Sequence, residues 1–224
     1  MFSSKTLKFL AENRGMNSRE WFEAHRGEYE EYLQKPLREL AEALAPTVAE
    51  LDGQIIVTPI SKSLSRIWCD VRFSKGMLYR ESQWVSFKRD KHEFERYPEF
   101  FMVFTSKDFF YGCGYYCASA DAMESARRLI LSGHESFLKA KAVIDGQERF
   151  FDSGDRYKRS KYPEYSEEMR EWLDRKNFCF MRRPDIKELF APDLAETLKA
   201  DFKMLKPLYD FFITAETLAK MEGE

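Results

Sequence analysis

The sequence patterns that predict β-strands are confined to the middle of the chain. Most fall between residues 55 and 117, with one more near residue 180, and helical periodicity precedes and follows them. Segregated runs of this kind predict an α+β fold with a mainly antiparallel sheet, flanked by N-terminal and C-terminal helices. No repeat, low-complexity segment or linker divides the 224 residues, so we expect a single domain over residues 1–224.

Helices are predicted where apolar residues recur every three or four positions. These segments are residues 2–13, a long helix from a cap at Asn17 or Ser18 to Leu44, residues 119–131, 134–143 and 164–175, and a last helix from about residue 193. Proline cannot donate a helical hydrogen bond, so we expect a kink or break at Pro36 and a bend of the last helix at Pro207. Pro46 is expected to start a separate turn that Gly53 ends.

The predicted strands are residues 55–58, 84–88, 100–104, 109–117 and 177–182. The third and fourth form a hairpin through residues 106–108. Gly112 and Gly114 stand two apart on one face of a strand, where missing side chains leave space. We favour a bulge or packing role for them over a platform for a ligand.

The segment 63–75 interleaves charged, hydroxyl and apolar residues most densely. In an extended chain, alternate residues face opposite sides. One side then carries Ile67, Cys69, Val71 and Phe73, and the other carries Arg66, Trp68, Asp70 and Arg72. A helix would pair Arg66 with Asp70 but break the apolar stripe, so we favour extended or irregular structure through Phe73.

The charged side of this segment is a candidate anion-binding site, because guanidinium groups match carboxylate and phosphate. Asp70 would orient the arginines or act as a base, which makes it the candidate catalytic residue. The predicted ligand-binding residues are Arg66, Asp70, Arg72, Lys75 and Arg80. Asp152 and Asp155 are candidates to supply further carboxylates.

The alternative hypothesis is a non-enzymatic interaction or scaffold domain. Its central charges would form a structural salt-bridge network. Aromatic residues would then include a protein-binding patch. The candidates for that patch are Phe109, Phe110, Tyr111, Tyr115 and Tyr116. The sequence leaves open whether the protein is an enzyme, and it leaves the oligomeric state open.

Composition limits the expected partners. Lys and Arg number 36 against 38 acidic residues, which gives no broad basic face for nucleic acid. The basic segments 88–92 and 156–161 are expected to be solvated. The three histidines and four cysteines lack metal-ligand spacing, so no metal and no cofactor are predicted. No signal peptide or membrane span is evident, which favours a cytoplasmic protein with reduced cysteines.

Several stretches resemble the bacterial family catalogued as domain of unknown function 2461. They are Ser-Leu-Ser-Arg-Ile at 63–67, Asp-Val-Arg-Phe-Ser-Lys at 70–75, Tyr-Arg at 79–80, residues 6–10 with 17–22, and residues 154–163 with 176–178. The chain departs from the family pattern at Cys69, which replaces a basic residue, and at 76–80, where the family has Asp-Lys-x-Pro-Tyr-Lys. The resemblance covers nearly the whole chain in order and implies no particular activity.

Overall fold

The structure, a computed structural model, describes residues 1–70, 72–89 and 97–222. The α-helices are α1 (Ser4–Met16), α2 (Arg19–Ala24), α3 (Arg26–Tyr29), α4 (Lys35–Leu51), α5 (Ala120–Leu131), α6 (Glu135–Asp145), α7 (Glu167–Leu173), α8 (Leu194–Met204) and α9 (Lys206–Glu222). The strands are β1 (Gln83–Phe87), β2 (Glu99–Phe104), β3 (Phe109–Gly114), β4 (Phe151–Asp152) and β5 (Cys179–Arg182). They form an antiparallel sheet in the order β1-β2-β3-β5-β4, so the predicted α+β fold is confirmed.

The chain is divided into two compact units, each assembled from three pieces of sequence. Unit 1 comprises Met1–Phe87, Phe101–Tyr111 and Arg183–Ala200. Unit 2 comprises Lys88–Phe100, Gly112–Arg182 and Asp201–Glu224. That the chain folds as a single domain stays a prediction.

A π-helical turn at Glu30–Gln34 joins α3 to α4 in unit 1. Pro36 has no N–H, so it cannot donate to the Tyr32 carbonyl in the way an α-helical residue would. The hydroxyl of Thr6, a fully buried residue of α1, donates to that carbonyl at 2.7 Å. The interruption expected at Pro36 therefore takes the form of a π-helical turn that is held by a neighbouring helix.

Two other expectations for unit 1 are wrong. Helix α4 continues through Pro46, so no separate turn starts there. Residues 55–58 form no strand, because the chain turns directly after α4, where the Asp52 carboxylate accepts the Gln54 N–H at 2.9 Å. Ile55 is 4% exposed and anchors this irregular segment in the core.

Local signals placed other elements of unit 1 correctly. The Ser18 hydroxyl caps α2 by accepting the Trp21 N–H at 3.2 Å, as a capping serine should. The turn predicted at 106–108 joins β2 to β3, and the Thr105 hydroxyl accepts the N–H groups of Lys107 and Asp108, both at 3.0 Å. The predicted hairpin is therefore confirmed.

Unit 2 packs α5 and α6 against α9 around an aromatic core. The Phe178 and Phe212 rings are stacked with centroids 5.5 Å apart. The last helix, expected to bend at Pro207, is instead divided into α8 and α9 just before that proline. A Cβ on Gly114 would lie 2.5 Å from the Cys179 Cα, and one on Gly112 would overlap the Phe180 carbonyl. The predicted packing role of these glycines is confirmed, and the backbone of β5 takes the space.

None of the helices in the described part of the chain is both long and apolar enough to cross a membrane.

Candidate functional site

The candidate site lies on a two-stranded ribbon of unit 1. Isolated antiparallel bridges join Leu64 to Val85 and Trp68 to Tyr79. We call residues 64–70 and 72–85 the basic ribbon. Its described residues contain no α-helix, which confirms the expectation of extended or irregular structure through Phe73.

The inner side of the basic ribbon is fixed to the N-terminal helices. The Tyr79 ring is fully buried, with its centroid 4.8 Å from that of Trp68 and 5.2 Å from that of Phe22. Its hydroxyl donates to the Ser18 carbonyl at 3.2 Å, and the Arg14 guanidinium donates to the Tyr79 carbonyl. The ribbon backbone is therefore held by side chains and carbonyls that the sequence places about sixty residues away.

Asn17 holds the turn at the tip of the basic ribbon. Its Nδ2 donates to the Gly76 carbonyl at 3.1 Å, and its Oδ1 accepts the Leu78 N–H at 2.7 Å. Lys75 has a φ of 51° and Gly76 a φ of 85°, so both are left-handed. That conformation costs a residue with a Cβ about 1–2 kcal/mol, and the contacts of Asn17 offset part of this cost.

Asp70 and Arg72 form an ion pair on the exposed surface. Arg72 donates through Nε at 2.9 Å and through Nη2 at 2.6 Å, and its backbone N–H donates to Asp70 Oδ1 at 3.1 Å. These hydrogen bonds lower the pKa of Asp70 to about 2. So weak a proton acceptor is a poor general base near neutral pH, and its geometry is suited to orienting Arg72.

Arg80 is the second guanidinium near this carboxylate. Its Nε donates to the Trp68 carbonyl at 3.1 Å, and its guanidinium carbon lies 4.9 Å from the centre of the Trp84 ring. Its charge adds to the lowering of the Asp70 pKa, after the larger effect of Arg72. The structure therefore brings Arg72 and Arg80 close to Asp70.

Arg66 and Lys75 are exposed, and neither side chain makes a hydrogen bond or ion pair within the described residues. The predicted alternation of faces is correct for Ile67, which is 2% exposed. It is wrong for Phe73, which is 79% exposed, because the chain turns at 72–76 instead of continuing extended.

Several backbone donors of this turn have no acceptor among the described residues, which do not include Val71. No hydrogen bond between described residues uses the N–H groups of Ser74, Lys75 or Gly76. The Ser74 hydroxyl is buried, and it too has no partner in the described part of the chain. Successive N–H groups in turns that include left-handed residues form concavities suited to anions.

A surface depression of about 480 Å³ lies at the π-helical turn, away from every predicted site residue. It is lined by Gly27, Glu30, Glu31, Gln34, Lys35 and Arg38. All six residues are exposed, and their charges are mixed. Sequence reasoning missed this depression, because Pro36 signalled an interrupted helix but not the π-helical turn that shapes it.

Asp152 lies in unit 2 and pairs with Arg175, with Oδ2 and Nε 2.6 Å apart. Both side chains are buried, at 9% and 6% exposure. Burial raises the pKa of Asp152 to about 6, and Arg175 opposes this with a smaller effect. Asp152 is therefore engaged by a partner other than the arginines of the basic ribbon.

The cysteines and histidines are the residue types that most often bind transition metals. All four cysteines are free thiols, and within the described ranges no three His, Cys, Asp or Glu side chains are grouped around a possible metal position. Burial raises the pKa of Cys113 well above its usual value and that of Cys179 to about 11, so both are protonated thiols near neutral pH. His92 lies outside the described residues.

The aromatic residues proposed as a protein-binding patch are mostly part of the core. Phe109, Tyr111 and Tyr115 are at most 3% exposed, whereas Tyr116 is 72% exposed. Three of the five candidate side chains are thus unavailable to a partner. The high aromatic content of the chain therefore reflects core packing.

Fold and site together define an α+β protein whose candidate site is an exposed basic turn. The chain belongs to the family described as "Conserved hypothetical protein (DUF2461)", whose profile matches residues 5–211. A comparison with curated proteins finds no match. The family match confirms the resemblance seen in the sequence, and it covers the whole basic ribbon.

Proposed function

We propose that the protein binds a small anionic ligand, through a phosphate or carboxylate group, at the tip of the basic ribbon. The observation that carries the proposal is a set of donors in one short turn that have no acceptor in the described part of the chain. The backbone N–H groups of residues 74–76 and the Ser74 hydroxyl have no acceptor among the described residues. The cationic side chains of Arg72 and Lys75 belong to the same turn.

Preorganisation supports this proposal. Asn17 fixes the turn, and Asp70 holds the Arg72 guanidinium through two of its five N–H donors, which leaves the others for a ligand. A ligand would therefore meet donors that are already in place, and less freedom would be lost on binding. Arg66 and Arg80 would add positive charge along the ribbon.

The geometry favours binding over catalysis. The site is open to solvent, and the candidate base Asp70 has a pKa of about 2. A carboxylate of this kind stays ionised and orients its arginine partner. We therefore assign Asp70 a positioning role in the proposed site.

The alternative, a purely structural salt-bridge network, predicts a different result. The Asp70–Arg72 pair is exposed, with side-chain exposures of 42% and 75%, and exposed pairs contribute little to stability. Loss of Arg72 should therefore leave the fold intact. A strongly destabilised Arg72 variant would instead support the structural alternative.

A thermal-shift screen tests the proposal with phosphorylated metabolites, carboxylates and nucleotides. It compares wild type, Arg72→Gln/Lys75→Gln and the control Lys62→Gln/Lys107→Gln, which removes the same charge from exposed lysines elsewhere in unit 1. At a hundred times its Kd, a ligand stabilises the native state by about 2.7 kcal/mol. A hit lost only in the first variant supports the site, whereas a hit kept in both variants places binding elsewhere.

A further inference from the structure

A tyrosine of unit 2 is surrounded by positive charge. The Lys161 Nζ lies 4.1 Å from the centre of the Tyr157 ring, and the Lys176 Nζ lies 5.6 Å from it. The guanidinium carbon of Arg127 lies 5.7 Å from the same centre. A cation–π contact holds a cation in place without neutralising it, in contrast to a carboxylate. The ring therefore gathers positive charge that is still available to an anion.

The backbone around this tyrosine is fixed. The N–H groups of Tyr157 and Lys161 donate to the Asp174 carbonyl and to its Oδ1, both at 2.9 Å. The N–H of Lys176 donates to the Asp155 carbonyl at 2.7 Å. The two lysines thus extend from anchored positions, although they belong to an irregular segment.

Arg127 forms the buried side of the cluster. Its side chain is 8% exposed, and it donates through Nε to the Leu173 carbonyl at 3.1 Å and through Nη2 to the Arg175 carbonyl at 2.7 Å. Its Nη1 lies 3.4 Å from a carboxylate oxygen of Glu124, which is 60% exposed. The guanidinium is therefore a fixed charge.

The nearby carboxylates are engaged by groups other than the two lysine ammonium groups, and the N–H that Asp174 accepts belongs to the Lys161 backbone. Glu171 pairs with Arg156, Asp152 pairs with Arg175, and Asp174 accepts a backbone N–H. Within the described residues, the ammonium groups of Lys161 and Lys176 make no hydrogen bond and no ion pair. Like charges gathered around one ring repel one another, so an anion that contacts them would be stabilised.

We propose that Arg127, Tyr157, Lys161 and Lys176 form a binding site for the phosphate chain of a small ligand that carries two or more linked phosphates. Lysine ammonium groups bind phosphate as point charges, and several of them match a multiply charged chain better than a single carboxylate. Exposed Lys158 and Arg159, in the same loop, continue the positive charge beyond the ring. This site lies in unit 2 and is independent of the function proposed for unit 1.

Isothermal titration calorimetry with inorganic tripolyphosphate tests the site. The titration uses the full chain carrying Arg72→Gln/Lys75→Gln, so that the basic ribbon of unit 1 does not add to the signal. Adding Lys161→Gln/Lys176→Gln should weaken binding by about tenfold or more, because two charges next to the ligand are lost. Adding Lys62→Gln/Lys107→Gln, which removes the same charge from exposed lysines of unit 1, should leave the affinity unchanged.

A second variant separates the geometry of the site from net charge. Tyr157→Leu keeps every charge but removes the ring that gathers the ammonium groups, so it too should weaken binding. Circular dichroism checks that each variant is folded.

A comparison of tripolyphosphate with ATP identifies the part of the ligand that is recognised. Equal affinities would identify the phosphate chain, and a higher affinity for ATP would indicate an additional contact to the nucleoside. Absent binding, or binding unchanged by Lys161→Gln/Lys176→Gln, would overturn the proposal.

Discussion

The buried pair of Asp152 and Arg175 makes a signed prediction about pH. Burial raises the pKa of Asp152 from 3.8 to about 6, so the native state binds a proton more tightly than the unfolded chain does. When the pKa of an acid is higher in the native state, protonation stabilises that state. This contribution is complete at pH values below the pKa of the unfolded chain, and it is lost as the pH rises through the pKa of the native state. A shift of this size corresponds to about 3 kcal/mol at its limit.

Asp152→Asn isolates this contribution. Asparagine can still accept the Gly154 N–H, which donates to Asp152 Oδ1 at 2.8 Å, but it does not titrate. We expect wild type to gain about 2–3 kcal/mol relative to the variant as the pH falls from about 8 to about 4. Urea denaturation at several pH values measures the difference, and Trp172, 6% exposed in unit 2, reports unfolding by its fluorescence.

Asp70→Asn is the matched control, because the pKa of Asp70 is shifted in the opposite direction. Arg72 lowers that pKa to about 2, so the stability it contributes is present above the unfolded pKa and is lost only below about pH 4. The difference between wild type and this control should be flat from about pH 8 to about pH 5. Our reasoning about Asp152 is refuted if wild type loses stability relative to Asp152→Asn on acidification, since ion pairing would then outweigh burial.

Two further substitutions test packing by chemical denaturation. Thr6→Val should lower the free energy of unfolding by about 1–3 kcal/mol, because the Tyr32 carbonyl loses a buried donor. Thr217→Val removes an exposed helical hydroxyl and should change this free energy little. Equal effects of the two substitutions would contradict the role given to Thr6. Gly114→Ala should destabilise by several kcal/mol, because its Cβ would meet the backbone of β5. A tolerated Gly114→Ala would show that β3 and β5 can separate. Gly27→Ala is the control, because its Cβ would meet nothing within 4 Å, and it should stabilise α3 by about 0.5–1 kcal/mol.

The sequence predicted those features of the fold that depend on neighbours along the chain. Ser18 caps a helix through the third residue after it, and the hairpin turn is held by Thr105 through contacts two and three residues away. The strand predicted at 55–58 is wrong, because a short apolar run is compatible both with a strand and with an irregular segment that is anchored in the core. Here Ile55 is the anchor.

The candidate site was predictable in composition but not in geometry. Charges and hydroxyls marked the segment 63–75, yet the contact of Asn17 with Leu78 joins residues 61 positions apart. No local pattern announces such a contact. The turn at 72–76 leaves Phe73 exposed. Arg80, on the returning strand, supplies the second guanidinium near Asp70, in addition to that of Arg72.

The cluster around Tyr157 was missed because its members come from three segments. The basic run 156–161 was visible and was interpreted as a solvated loop. Lys176 and Arg127 gave no signal of their own. A loop in which two tyrosines flank a run of cations is the pattern that would have indicated such a cluster.

The two units are interleaved along the chain, and this has a consequence for synthesis on the ribosome. Unit 1 begins at Met1 but includes Arg183–Ala200, so its last piece is translated after most of unit 2. At about 5–20 residues per second, the N-terminal helices wait between several seconds and a few tens of seconds for that piece. Unit 2 in turn needs Asp201–Glu224, so the nascent chain can complete neither unit until nearly all of these 224 residues have been made.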